Sequence, residues 1–192
     1  MLEKERKNME KLAGAGGAPL ALAYCPQTPA LVMSYCGKRD LFDLLTRDSS
    51  LEDRDYLGVA LKVTKAIQEI HEAGMVHSDL KLDNVVVETS KKGEVQSVHI
   101  IDFGLSVPVG GRQGPKKSAD RKEWYCGCYY SGDKMKPKCD VVGLGVILTE
   151  VLDHLEEVPE ELDDMVERTQ EFEHELRPEV EEVRELLERL LR

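Results

Sequence analysis

Two short segments of this 192-residue chain concentrate side chains able to do chemistry. The first, HSDLKLDNVVV, places a carboxylate at Asp79, an amine at Lys81 and a carboxamide at Asn84 on a turn that leads into an apolar run. The second, IIDFG, sets Asp102 immediately before Phe103 and Gly104. A carboxylate can accept a proton, an ammonium can steady an anion, and a carboxylate with a carboxamide can hold a divalent ion through oxygen ligands. The same residue types also build polar turns, so Asp79, Asn84 and Asp102 admit a purely structural reading.

The two segments need elements that bring them together. Val85 to Glu88 and Val98 to Ile101 are β-branched runs flanking Lys91, Lys92 and Gly93, which predicts a hairpin between the segments. Upstream, Ser50 with Asp53 resembles a capping box. Leu57, Ala60, Leu61, Thr64, Ile67 and Ile70 or His71 then recur at helical spacing until Gly74 ends the helix. Downstream, Asp140 to Leu152 is a nearly uncharged helix that should be buried on most sides. Pro159 opens another, with Leu162, Met165, Val166, Thr169 and Phe172 on one face, and Val180, Val183, Leu187 and Leu190 mark the last. The N-terminal part reads as a helix over 2–12, two strands at Leu20 to Tyr24 and Ala30 to Tyr35, and a small helix over Asp40 to Thr46. Gly14 and Gly16 do not form a phosphate cradle, because Pro19 takes the third glycine position of G-x-G-x-x-G and no strand precedes them. Residues 105–138 show no clean period and read as a long functional or disordered loop.

Taken in order, HSDLKLDN and IDFG resemble the catalytic loop H-R-D-x-x-x-x-N and the metal motif D-F-G of the eukaryotic protein kinase family. The resemblance implies ATP and Mg2+ as cofactors, Asp79 as the base for a substrate hydroxyl and Lys81 steadying the transferred phosphate. It also implies Asn84 and Asp102 as magnesium ligands. His77 and Phe103 would set the posture of the loop, and Gly104 would let the backbone turn. Lys81 is similar to the serine/threonine class, since tyrosine kinases usually carry Ala there. LVMSYCGKRDLFDLL resembles the strand, hinge and first large-lobe helix of the family. That would put Met33 at the back of the adenine pocket, the backbone of Ser34 and Cys36 on the base, Asp40 near the ribose and Val86 under the ring. CDVVGLGVILTEVL resembles the buried central helix with Asp140 bonding the catalytic loop, and HELRP the closing segment with Arg177.

Departures from the family pattern bear on activity. Neither the Gly-rich strand pair nor the V-A-I-K lysine occurs, and Glu5 aligns roughly with the Glu that such a lysine would pair with. Ser78 replaces the Arg of the catalytic loop, which weakens Ser118 as an activating phosphosite. No A-P-E is found near Trp124 to Tyr130, so Arg177 lacks its expected carboxylate. The stretch from Gly145 to Arg177 is short of one family helix. The expected architecture is therefore mainly α (α+β), a kinase-like C-terminal lobe over 37–192 with a remnant of the small lobe and hinge over 1–36. Its function is expected to be ATP- and Mg-dependent phosphoryl transfer to Ser or Thr of proteins. The alternatives are a pseudokinase or scaffold working through protein contacts, and a piece of a longer chain.

Composition narrows the partners. With 37 acidic and 26 basic residues the net charge is −11, and 15 acids against 3 bases fall between Asp153 and Glu185, which argues against nucleic acid. No apolar run approaches the roughly 20 residues of a membrane span, and a cytoplasmic location is expected. A protein substrate or partner is implied, with self-association through the exposed lobe interface. Cys25, Cys36, Cys126, Cys128 and Cys139 are odd in number and irregular in spacing, against a disulfide framework. Cys126 and Cys128 could join Cys139 and a His around zinc, but the usual two-residue separation is missing, and the reading taken is reduced, partly buried thiols. His71 and His99 read as packed or surface histidines, and Trp124, the single Trp, as a core residue.

Overall fold

An apolar face repeating every three or four residues makes Asp53–Glu72 a helix, α3, and that face is buried from Tyr56 to Ile70. A computed structural model describes residues 1–47, 51–90, 93–114 and 121–192. The cap of α3 is not the predicted one. Glu52 and Asp55 close the capping box, and Ser50 lies outside the described residues. Asp53 instead accepts the backbone N–H groups of Glu156 and Glu157 at 2.9 and 3.3 Å.

Two more helices pack on α3: the nearly uncharged α5 (Lys138–Leu152) and the strongly amphipathic α7 (Val180–Leu190). Between them, α6 (Glu160–Thr169) lies so close to α5 that a Cβ on Gly145 would sit 1.8 Å from Thr169 Oγ1. Phe172 was expected on the face of α6. The helix ends at Thr169, whose hydroxyl turns back to the Val166 carbonyl at 2.6 Å, so Phe172 falls outside the helical period and is 75% exposed.

The N-terminal helix α1 (Leu2–Leu12) packs on an antiparallel hairpin of β1 (Ala21–Cys25) and β2 (Ala30–Met33). A second sheet has the order β3 (Arg39–Asp40), β5 (Val85–Thr89), β6 (Val95–Ile100), with α2 (Leu41–Arg47) leaving directly from β3. The predicted hairpin between the two chemical segments is thus β5–β6, paired from Val85–Ile100 outward.

The region 105–138 is more ordered than its composition suggests. β7 (Val107–Pro108) pairs with β4 (Met75–Val76), Arg112 bridges to Lys134, and Gly127–Ser131 forms a short helix, α4. Its partners are distant in sequence, so no local period announces them. Residues 115–120, with Ser118, lie outside the described set. A small cluster of Val76, Val107, Cys126, Cys128, Met135, Cys139 and Val142 holds this region together beside the main core.

Candidate active site

Asp140, in the first turn of α5, organises the loop that follows β4. Its Oδ1 accepts the backbone N–H of Ser78 at 2.8 Å, and its Oδ2 accepts the N–H of His77 at 2.7 Å and faces His71 Nε2 at 2.9 Å. Burial alone would push this carboxyl up. The hydrogen bond and charge of His71, with His77 and the Ser78 N–H, outweigh it and hold Asp140 below the ordinary carboxylate value. The two amides pinned this way fix Ser78 at φ +68, a left-handed backbone that a non-glycine residue adopts only when held. Gly143, one turn along α5, makes the contact possible, since a Cβ there would meet the Leu80 carbonyl oxygen at 2.5 Å.

Downstream of this anchor, Asp79 and Asn84 come together. The Asn84 amide donates to the Asp79 carbonyl at 2.8 Å and to its Oδ2 at 3.3 Å, which leaves the Asn84 oxygen as the atom able to ligate a cation. Ile101 N–H donates to the Asn84 carbonyl at 2.9 Å, so Asp102 follows directly from a residue bonded to Asn84. The turn at Asp102 is made by its own φ of +62 and not by Gly104. Gly104 matters for space: a Cβ on it would lie 3.2 Å from Asp102 Oδ1, the atom that accepts the Gly104 N–H at 3.3 Å. Phe103 is fully buried with its ring edge-on to His77 at 5.1 Å. His77 Nε2 meets the Ile101 carbonyl at 3.0 Å, and Asn8 of α1 donates to the carbonyls of Phe103 and Ser106 at 2.8 and 3.0 Å. Both acidic segments are therefore tied to each other and to α1 through backbone groups.

The hinge candidates form a second group. Met33 ends β2 and is 38% exposed. Ser34 N–H donates to the Leu20 carbonyl at 2.9 Å, and the Cys36 thiol points to the Ser34 carbonyl at 3.9 Å. Burial raises the Cys36 thiol above its ordinary value. Asp40 pairs with Val86 across β3–β5, and its Oδ1 caps α2 by accepting the Asp43 N–H at 2.7 Å. Val86 is buried, and Gly37 passes so close that a Cβ would meet Val86 Cγ1 at 2.9 Å. Gly37 and Asp40 are thus neighbours of Val86.

A comparison with known protein families matches residues 21–192 to the protein kinase domain. The chain belongs to the protein kinase family. Among curated proteins it is similar to the serine/threonine-protein kinase pkn3 of Myxococcus xanthus, 29% identical over 64% of this chain and 23% of that protein. It is also similar to sperm motility kinase 3A of Mus musculus, 32% identical over 62% of this chain and 23% of that protein. A third is serine/threonine-protein kinase 1 of Lymantria dispar multicapsid nuclear polyhedrosis virus, 27% identical over 63% of this chain and 41% of that protein. The matched stretch spans less than half the length of each. No described helix is long and apolar enough to cross a membrane.

Within this kinase fold the structure adds residues the sequence did not point to. Trp124, expected in the core, lies instead over the loop: its indole N–H donates to Asp79 Oδ1 at 3.1 Å, and the Lys81 ammonium sits 5.6 Å from its ring centre. Tyr125 also reaches Asp79, and burial together with that hydrogen bond pushes its phenol well above the ordinary value. Their distance in sequence from Asp79 hid both. Glu5, on α1, is raised first by burial and next by the charge of Asp102. Arg177 is buried, and among the described residues no carboxylate pairs with it: its guanidinium donates to the carbonyls of Glu171, Lys138 and Phe172 at 2.7, 3.1 and 3.3 Å. His71 serves Asp140, and His99 Nδ1 lies 2.9 Å from the Gly17 carbonyl.

Proposed function

We propose that this kinase domain binds ATP with Mg2+ and transfers the terminal phosphoryl group to Ser or Thr of a protein, Asp79 being the residue that takes the hydroxyl proton. The observation that carries the reading is the joint anchoring of Asp79 and Asn84 on a loop whose backbone is bonded twice by a buried carboxylate, Asp140. Residues 37–192 serve as the large lobe, and 1–36 as what these residues contain of the small lobe and hinge. The donor set suits magnesium, which prefers carboxylate and carbonyl oxygens: the Asn84 oxygen and the Asp102 carboxylate would hold it. The charge of Asp102 also acts on Glu5 of α1, and a cation held by Asp102 would relieve that repulsion. When bound, the ion neutralises charge on the phosphates; the rest is positioning by this chain.

Lys81, whose ammonium lies 3.7 Å from Asp83 Oδ2 and over the Trp124 ring, would steady the transferred group, and the backbone of Ser34 and Cys36, with Asp40 and Val86, would receive the nucleoside. Met33 would close the back of that pocket. The 192 residues contain neither the Gly-rich strand pair nor the phosphate-holding lysine, so nucleotide affinity and rate are expected to be low for this chain alone. The Trp124 indole N–H would compete with a substrate hydroxyl for Asp79 Oδ1.

That contact favours a second reading. A base already occupied by Trp124 and Tyr125 suits a kinase-derived scaffold whose helical surface binds other proteins. Transfer of labelled phosphate from ATP to a generic acceptor protein separates the two. The enzyme reading expects magnesium-dependent transfer that disappears in Asp79→Ala. Transfer that survives in Asp79→Ala removes the base assignment, and none at all in the parent or in Trp124→Phe favours the scaffold.

A further inference from the structure

Away from the catalytic loop, three thiols and one imidazole converge where α4, α5 and the turn before α7 meet. Sγ of Cys126, Sγ of Cys128 and a ring nitrogen of His174 all lie within 4.8 Å of one another. Cys139, in the first turn of α5, lies in the same small buried cluster as Cys126 and Cys128. We propose that Cys126, Cys128 and His174 form a site for a thiophilic divalent cation, with the neighbouring Cys139 thiol drawn in to complete a tetrahedral set and Zn2+ as the natural occupant.

The spacing suits the ion. Zn–S bonds of about 2.3 Å and a Zn–N bond of about 2.0 Å at tetrahedral angles put sulfur and nitrogen roughly 3.5 Å apart. Cys128 Sγ and His174 Nδ1 are 3.6 Å apart. The ligands come from three elements, Cys126 and Cys128 from the start of α4, Cys139 from α5 and His174 from the turn before α7, and the three sulfurs are buried. All five cysteines of the chain are free thiols, so none of these sulfurs is spent on a disulfide.

The surroundings are those a metal–thiolate centre uses. The Lys136 N–H donates to Cys139 Sγ at 3.4 Å. With Nδ1 turned to Cys128, His174 directs Nε2 toward Glu175, whose Oε1 is 3.1 Å away. That nitrogen is buried without an aligned hydrogen bond. Metal on Nδ1 would place the ring proton on Nε2, facing this carboxylate, which is the pairing that orients ligating histidines. Three thiolates around a divalent ion leave one net negative charge. The buried Arg177 guanidinium lies beside Cys126 to offset it, which gives this arginine an anionic neighbour despite the missing A-P-E glutamate. A cleft of about 510 Å³ reaches Cys126, Cys128 and His174 from solvent past Asp133 and gives the ion a way in.

The site has a consequence for the catalytic loop. Trp124, two residues before Cys126, is the residue that donates to Asp79. An ion joining Cys126 to α5 and to the turn carrying His174 would fix the segment that holds this indole in place. Because Trp124 is the single Trp of the chain, its fluorescence reports the event.

The test uses the whole reduced chain, freed of metal by dialysis against a chelator and titrated with Co2+. The expected result is one equivalent bound, with a thiolate-to-cobalt charge-transfer band in the near ultraviolet and the strong visible bands of tetrahedral cobalt. Zn2+ should displace the colour and shift Trp124 emission. His174→Ala and Cys128→Ser should each weaken Co2+ binding by more than about tenfold, while Cys25→Ser should leave the spectrum unchanged. No charge-transfer band in the reduced parent would overturn the proposal, whatever the variants do. So would a band that persists undiminished in both variants, or one that disappears in Cys25→Ser.

Discussion

Replacing Asp140 by Asn keeps the shape of the side chain and removes its charge. If the amide oxygen stays on Ser78, the new NH2 group takes the place of Oδ2, which now serves both His77 N–H and His71. His71 can change tautomer and accept from the amide, but the His77 N–H then faces another donor. A buried donor left without a partner costs roughly 1–3 kcal/mol, and the lost charge-assisted bonds add about 1 kcal/mol or more, so the variant should be about 3 kcal/mol less stable. For a domain of this size that lowers the melting midpoint by roughly 6–12 °C. Urea unfolding at neutral pH measures it. A second signature comes from pH. The carboxyl is depressed in the folded chain. Its stabilisation is thus complete above the unfolded value of about 3.9 and disappears as pH falls through the lower folded value. Below about pH 4 the parent should lose stability more steeply than Asp140→Asn. A loss under about 1 kcal/mol at pH 7, or parallel acid slopes, would refute the claim that this carboxylate anchors the loop.

Three other outcomes follow from the same contacts. Gly143→Ala drives a methyl into the Leu80 carbonyl, which lies 2.5 Å from the built Cβ; overpacking of about 1–3 kcal/mol is expected by thermal unfolding, together with loss of phosphoryl transfer as the loop shifts. Asn8→Ala removes two bonds from α1 to the Phe103 and Ser106 carbonyls, and should cost about 2 kcal/mol in a urea titration. Trp124→Phe frees Asp79 Oδ1 while keeping a ring beside Lys81, and should raise labelled-phosphate transfer by about tenfold, the worth of one charge-assisted hydrogen bond; an unchanged rate would mean that the indole does not block the base.

The elements that carry chemistry were legible because each is local. Asp79, Lys81 and Asn84 fall within six residues, Asp102 to Gly104 within three, and the hairpin between them has β-branched strands with a polar turn. Helix α3 was legible from its apolar period, while its cap was misplaced because Ser50 is a preferred capping type and Glu52, which caps the helix, is not. What sequence reading missed is long-range. The indole of Trp124 reaches back 45 residues to Asp79, and His174 stands 46 residues from Cys128. Only the fold brings these pairs together. The same holds for 105–138, whose strand partner at Met75–Val76 gives no local signal. Phe172 shows the converse error: the apolar period ran on past Thr169, where the helix already ends.

The central claim is that Asn84 and Asp102 hold magnesium beside a bound nucleotide. The direct measurement is a thermal-shift titration of the 192-residue chain with ATP, with and without Mg2+, run beside Asn84→Ala and Asp102→Asn. A stabilisation by ATP that requires Mg2+ in the parent and is lost in both variants is the expected result. Equal shifts with and without the ion, or a full shift retained in Asp102→Asn, would contradict it.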